Sequence, residues 1–156
     1  MTPAIDIVMQ QQIVFHIHQY SPNANASSFG EEAADKLGIS HERVFKTLVL
    51  SNPLGMLAVA VVPVSVKLSM KKMAKALEWK KVAMADKLAV SRSTGYVLGG
   101  VSPLGQKKAL VTVIDDSSSK FSTIFVSAGK RGLEIELSPQ DLAQLVHASF
   151  ANIGER

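Results

Sequence analysis

The chain has no cysteine in its 156 residues. That absence removes disulfides, thiolate zinc sites, redox motifs and any cysteine nucleophile, and it fits a reducing compartment. Aromatic residues make up only 6%, with one tryptophan. There is no RNP-type aromatic pair and no KH-type G-x-x-G loop, so an RNA contact would run through phosphate and shape with little base reading. Long apolar runs are missing too. The longest, near 54–66, contains Gly55, Pro63 and Ser65 and falls short of the roughly 20 residues that cross a bilayer. The opening Met1-Thr2-Pro3-Ala4-Ile5-Asp6 lacks the basic and apolar regions of a signal peptide. A soluble cytoplasmic protein without a membrane partner is the expectation.

Several catalytic signatures are also missing. No G-x-S-x-G elbow, H-E-x-x-H pair or G-x-G-x-x-G fingerprint occurs. The stretch Gly100-Val101-Ser102-Pro103-Leu104-Gly105-Gln106-Lys107 comes close to a P-loop. It fails because Gln106 separates the last glycine from the lysine and no hydroxyl residue follows Lys107 or Lys108. Asp and Glu are scattered without a paired-carboxylate pattern. His16 and His18 share a strand face, but no third ligand lies near them in sequence. No metal and no cofactor are expected.

What is present describes one folded domain spanning 1–156. Apolar content is 47% and net charge is +4, with a pI near 9.4, which is mildly basic. Thr2-Pro3 reads as a helix start. Alternation over 13–20 reads as a strand, and 21–28 as a polar loop. A short helix is expected at 31–37, closed by Gly38. Residues 44–50 and 56–62 should pair as a hairpin. Ser69 should cap a lysine-rich helix, Met70–Leu77. A short strand is expected at 79–84 and a helical turn at 86–91. Further strands are expected at 109–114, 123–126 and 133–137, then a helix at 140–146 after Ser138-Pro139. Strands outnumber helices without regular interleaving. The fold class is therefore α+β, a mixed, largely antiparallel and barrel-like sheet with flanking helices.

Two stretches concentrate the chemistry. Thr94-Gly95-Tyr96-Val97-Leu98-Gly99-Gly100-Val101-Ser102-Pro103-Leu104-Gly105 carries four glycines in twelve residues. It is either a connector between strands or a cradle of backbone N–H groups for an anion or oxyanion. Lys46, in Phe45-Lys46-Thr47, begins a strand. It is either an edge lysine facing solvent or a functional cation. Ser127-Ala128-Gly129-Lys130-Arg131-Gly132 is a tight turn with two cations, either a solvated hairpin or a phosphate contact. Between Lys67 and Lys87 stand seven lysines against Glu78 and Asp86. Lys71, Lys72 and Lys75, with Lys107, Lys130 and Arg131, are candidates for an RNA-backbone patch.

Five segments carry a family resemblance: Met1-Thr2-Pro3-Ala4; Phe29-Gly30-Glu31-Glu32; Phe45-Lys46-Thr47-Leu48; the block from Ser93 to Lys108; and Gly129-Lys130-Arg131-Gly132-Leu133. In these the chain resembles the YbaK family of free-standing aminoacyl-tRNA editing proteins, related to the inserted editing domain of bacterial prolyl-tRNA synthetases. One departure is Ala128, where that family usually shows a glycine. The resemblance implies a Cys-tRNA(Pro) deacylase, with Cys-tRNA(Cys) as a further substrate, acting alongside prolyl-tRNA synthetase. It implies Lys46 as the catalytic residue. It also implies substrate contacts at Tyr20, Phe29, Gly30, Thr47, Gly99, Gly100, Val101, Ser127, Gly129 and Glu136. An aminoacyl ester is already activated, so a site that excludes water and steadies an oxyanion needs no nucleophile of its own if the substrate thiolate attacks. Water attack stays open at this stage. So do two other functions: a non-catalytic module for a tRNA 3′ end or nucleotide, and an editor of Ala-tRNA(Pro).

Overall fold

The computed structural model describes residues 1–25 and 28–156; Ala26 and Ser27 of the expected 21–28 loop lie outside the described residues. The chain runs α1 (Pro3–Gln10), β1 (Phe15–Gln19), α2 (Phe29–Leu37), β2 (Phe45–Ser51), β3 (Leu57–Pro63), α3 (Met70–Leu77) and β4 (Ala83–Met84). It continues through α4 (Lys87–Thr94), β5 (Val111–Asp115), a 3-10 turn (Asp116–Lys120), β6 (Ile124–Lys130), β7 (Leu133–Leu137), α5 (Pro139–Val146) and β8 (Ser149–Ala151).

The strands form two sheets. One is antiparallel in the order β1-β7-β6; the other is mixed, in the order β4-β2-β3-β5-β8. A parallel bridge between Val44 and Phe125 joins them at one corner, where Phe125 N donates to Arg43 O at 3.1 Å. The α+β class holds, but the sheets meet at this corner and do not close into a barrel. The larger sheet continues beyond β3 through the parallel pairs β3–β5 and β5–β8.

Burial explains the order of strands. Val59 and Val61 on one face of β3, and Ala58, Ala60 and Val62 on the other, are all inaccessible to solvent. A strand buried on both faces must be central. Its first face joins Phe45, Val49 and Ile114 against Ile124, Val126, Ile135 and Leu137 of the small sheet, with α1 and α5 sealing the sides. Its second face packs under Met73 of α3 and Ile153. A third cluster holds α2 down through Ala33 and Ala34 on Val44, Val64 and Phe125.

The helix starts follow local chemistry. Thr2 Oγ1 accepts from Ile5 N at 3.2 Å and donates to Ala128 O at 2.5 Å, tying α1 to β6. Ser69, Asp86 and Ser138 cap α3, α4 and α5 in the same way. Ala128 sits fully buried in β6 with ordinary strand backbone, so nothing there requires glycine.

Four expectations are corrected. The 79–84 strand shrinks to Ala83–Met84, because Trp79 N donates to Ala74 O and so finishes the C-terminus of α3. The helix begun at Asp86 continues to Thr94. The strand begun near 123 does not stop at Val126. It runs to Lys130 across a bulge, where Gly129 N donates to Ser127 Oγ, and the turn narrows to Lys130–Leu133. Strand β8 and the 3-10 turn were not foreseen at all.

Candidate active site

The sheet corner leaves one edge open. Ala85 N donates to Val49 O at 3.0 Å, so Val49 directs its backbone away from β3. By alternation Thr47 does the same, in the gap between the β4 pairs at Leu50 and Ser51 and the Val44–Phe125 bridge to β6. Beside this unpaired edge lies a cavity of about 250 Å³. Its wall is Val44 followed by β2 from Phe45 to Leu48. Tyr20, Phe29 and Gly30 close one side, Leu98, Gly99 and Val101 another, and Ser127 and Glu134 form the floor.

Close approach builds the roof. A Cβ on Gly30 would stand 2.4 Å from Val64 Cγ1, so glycine lets the start of α2 descend beside Lys46. Gly99, at φ +92°, lies flat against the Phe29 ring, where a Cβ would be 3.2 Å from two ring carbons. The glycine block is pinned at both ends. Lys107 N and Lys108 N donate to Thr94 O and Ser93 O. Inside the block the buried Tyr96 hydroxyl donates to Leu104 O at 2.5 Å, and burial pushes its pKa up to about 12.

Lys46 sits half-buried in the cavity wall and makes no hydrogen bond or ion pair among the described residues. Burial lowers its pKa; Glu31 pulls it partly back and Lys67 presses it further down. Thr47 Oγ1 is buried with no partner among the described residues. The N–H groups of Gly99 and Val101 also have no acceptor among them, whereas Gly100 N donates to Val97 O at 3.0 Å. Gly99 and Val101 line the cavity, whereas Gly100, whose N–H is taken, is absent from its lining. Gly129 stands behind the floor, against Tyr96 and Thr2.

The carboxylate in the cavity is Glu134, not Glu136. Glu134 is 6% exposed, and burial pushes its pKa up to about 8. Burial, then the Glu134 charge, raises the pKa of Tyr20. Glu136 lies two residues further along the same strand face. There it accepts from Thr123 Oγ1 at 2.6 Å, Arg43 Nη2 at 3.1 Å and His18 Nε2 at 2.9 Å. Burial works to raise the Glu136 pKa, but these three donors outweigh it and hold it low. Alternation along Leu133-Glu134-Ile135-Glu136 puts both acids on one face; nearness to the Gly132 turn separates the one at the cavity. His18 belongs to the Glu136 network and not to a pair with His16.

The basic candidates divide. Arg131 turns inward: its guanidinium pairs with Glu32 at 2.9 Å and lies 4.5 Å from the centre of the Phe29 ring. Lys72 Nζ donates to Gly154 O at 2.8 Å, binding α3 to the C-terminal segment. The Lys107 stem covers Gly95. Lys71, Lys75 and Lys130 are exposed.

Residues 23–145 match the family model described as aminoacyl-tRNA editing domain. EbsC of Enterococcus faecalis, provisionally named a Cys-tRNA(Pro)/Cys-tRNA(Cys) deacylase, is 39% identical over 97% of this chain and 92% of its own length. A proline–tRNA ligase of Trichlorobacter lovleyi is 31% identical over 64% of this chain, a segment that makes up 17% of the ligase. A crystal structure described provisionally as a trans-editing enzyme for prolyl-tRNA synthetase shares the fold, with a TM-score of 0.82 at 20% identity over 100% of this chain and 99% of that one. The chain belongs to the aminoacyl-tRNA editing domain family.

Proposed function

We propose that residues 1–156 form a single trans-editing domain that deacylates cysteine wrongly attached to tRNA(Pro), in the cavity around Lys46, alongside prolyl-tRNA synthetase. The observation that carries this reading is a small cavity whose lysine and two backbone N–H groups have no partner among the described residues. Among the described residues no histidine lines it to activate the hydroxyls of Ser28, Thr47 or Ser127. The name borne by EbsC supports the substrate. The likeness to a segment of a proline–tRNA ligase supports the partnership.

In the chemistry that fits, the substrate's own thiol loses its proton to solvent. The Sγ–C bond then forms as the thiolate attacks the ester carbonyl. The developing oxyanion points at Gly99 N, Val101 N and the Lys46 ammonium. The bond from the carbonyl carbon to the ribose oxygen breaks, and Lys46, whose depressed pKa eases proton release, protonates that oxygen. A thiolactone and free tRNA result. A thiol is a few per cent thiolate at neutral pH, whereas a serine hydroxyl has negligible alkoxide.

The test is deacylation of Cys-, Ser-, Ala- and Pro-tRNA(Pro). Rapid clearance of the cysteine ester alone, with a transient thiolactone, is expected. Equal rates on the cysteine and serine esters would replace self-cyclisation with water attack. Preference for the alanine ester would overturn the substrate.

A further inference from the structure

A second cleft, of about 440 Å³, opens beside the first. Tyr20 lines both. Beyond it the second cleft is bounded by Gln19, Ser21 and Pro22 on one side and by the turn Lys130-Arg131-Gly132 on the other. Near both, the glycine block rests on this turn: a Cβ on Gly100 would meet Lys130 Cα at 3.1 Å.

Size argues that the substrate needs both. A cavity near 250 Å³ falls below the roughly 300–1,000 Å³ of a site for a drug-sized ligand. It has room for an aminoacyl group and part of a ribose, not for the nucleotides that precede them. The charges in the second cleft are sorted. Arg131 is neutralised by Glu32 at 2.9 Å and donates to Asn23 O, so its charge is already used. Lys130 is exposed on the rim and makes no ion pair among the described residues. Gln19 and Ser21 add neutral donors and acceptors, which suit a ribose or base edge.

We infer that this cleft binds the nucleotide preceding the terminal adenosine of the acceptor end, with the Lys130 ammonium on the phosphate that links the two. The inference rests on reading the first cavity as the aminoacyl-ester site. It makes Lys130 a binding residue and Arg131 a positioning residue.

The experiment compares two small substrates on wild type and Lys130→Ala: the cysteinyl ester of adenosine and that of the dinucleotide CpA. One charge-assisted phosphate contact corresponds to about tenfold or more. In wild type the CpA ester should therefore exceed the adenosine ester in kcat/KM by about that factor. The ratio should fall toward one in Lys130→Ala, and also in wild type as salt rises. A ratio near one in wild type, or one that Lys130→Ala leaves intact, overturns the cleft. Titration with unesterified CpA and adenosine separates this inference from the reading beneath it. Tighter binding of CpA, lost in Lys130→Ala, supports the cleft even if no ester is cleaved. Failure of wild type on every cysteinyl ester would refute only the aminoacyl-ester reading.

Discussion

The Arg131 guanidinium lies over the Phe29 ring, 4.5 Å from its centre, and pairs at 2.9 Å with Glu32 one turn further along the same helix. Arg131 comes from the β6–β7 turn, so one side chain locks the entrance of α2 to the small sheet. Burial works to raise the Glu32 pKa, but the Asn23 N–H and the Arg131 guanidinium outweigh it and keep it low. Removing Arg131 leaves a carboxylate that is 8% exposed with no cation beside it and the Asn23 N–H as its remaining donor. Arg131→Ala should cost about 2–3 kcal/mol in denaturant unfolding and lower kcat/KM through the displaced Phe29. Arg131→Lys should restore little, because an ammonium neither stacks nor forks.

Two glycines in one loop should separate stability from activity. A Cβ on Gly105, at φ +67°, would stand 2.6 Å from the Pro3 carbonyl, which is backbone and cannot move aside. Gly105→Ala should lower the unfolding free energy by about 2 kcal/mol or more. Gly99→Ala strains a similar conformation but presses on the Phe29 ring. It should cost about 1–2 kcal/mol and reduce kcat/KM disproportionately. Melting curves beside steady-state rates will show whether the two variants diverge.

Glu134 should leave a mark on the pH dependence of stability. Its pKa rises from 4.5 in the free side chain to about 8 in the folded chain, so the native state holds a proton that the unfolded state gives up. Stability therefore falls as pH climbs from about 4.5 to about 8 and levels off above that. The groups facing it are His18 across β1, Ser127 across β6, and Tyr20 and Lys46 on the cavity wall. Glu134→Gln should flatten the slope in that window, measured by chemical denaturation at stepped pH. An unchanged slope would assign it to another group.

Lys71 and Lys75 are exposed on α3, whereas Lys72 is fastened to Gly154. Lys71→Glu with Lys75→Glu should weaken tRNA binding and flatten its salt dependence, since each neutralised phosphate releases counterions. Thermal stability should barely move. Lys72→Glu should lower the melting temperature as well. Binding isotherms over a range of salt concentrations will measure the difference.

Much of the fold was legible because its signals are local. Thr2-Pro3 caps α1, Ser138-Pro139 opens α5, and the β2–β3 hairpin follows from two apolar runs about a short turn. What escaped was non-local. Strand β8 exists because Ser149–Ala151 pairs in parallel with β5, and no turn in sequence announces that. The bulge at Ser127 depends on Gly129 donating back to the Ser127 hydroxyl. In the site, Lys46 and the glycine block stood out by composition. Glu134 and Glu136 differ only in their distance from a turn. Arg131 looked like a free cation because Glu32 is distant in sequence.

The most direct measurement is single-turnover deacylation of Cys-tRNA(Pro) by wild type and by Lys46→Ala, with folding of the variant verified by its melting curve. Wild type should clear the ester well above the spontaneous rate. The folded variant should be slower by at least about 10²-fold, the scale of one preorganised charge lost from an oxyanion site, with binding of uncharged tRNA(Pro) little changed. A folded Lys46→Ala protein that clears the ester at the wild-type rate would contradict the assignment and leave Lys46 as an edge-strand lysine.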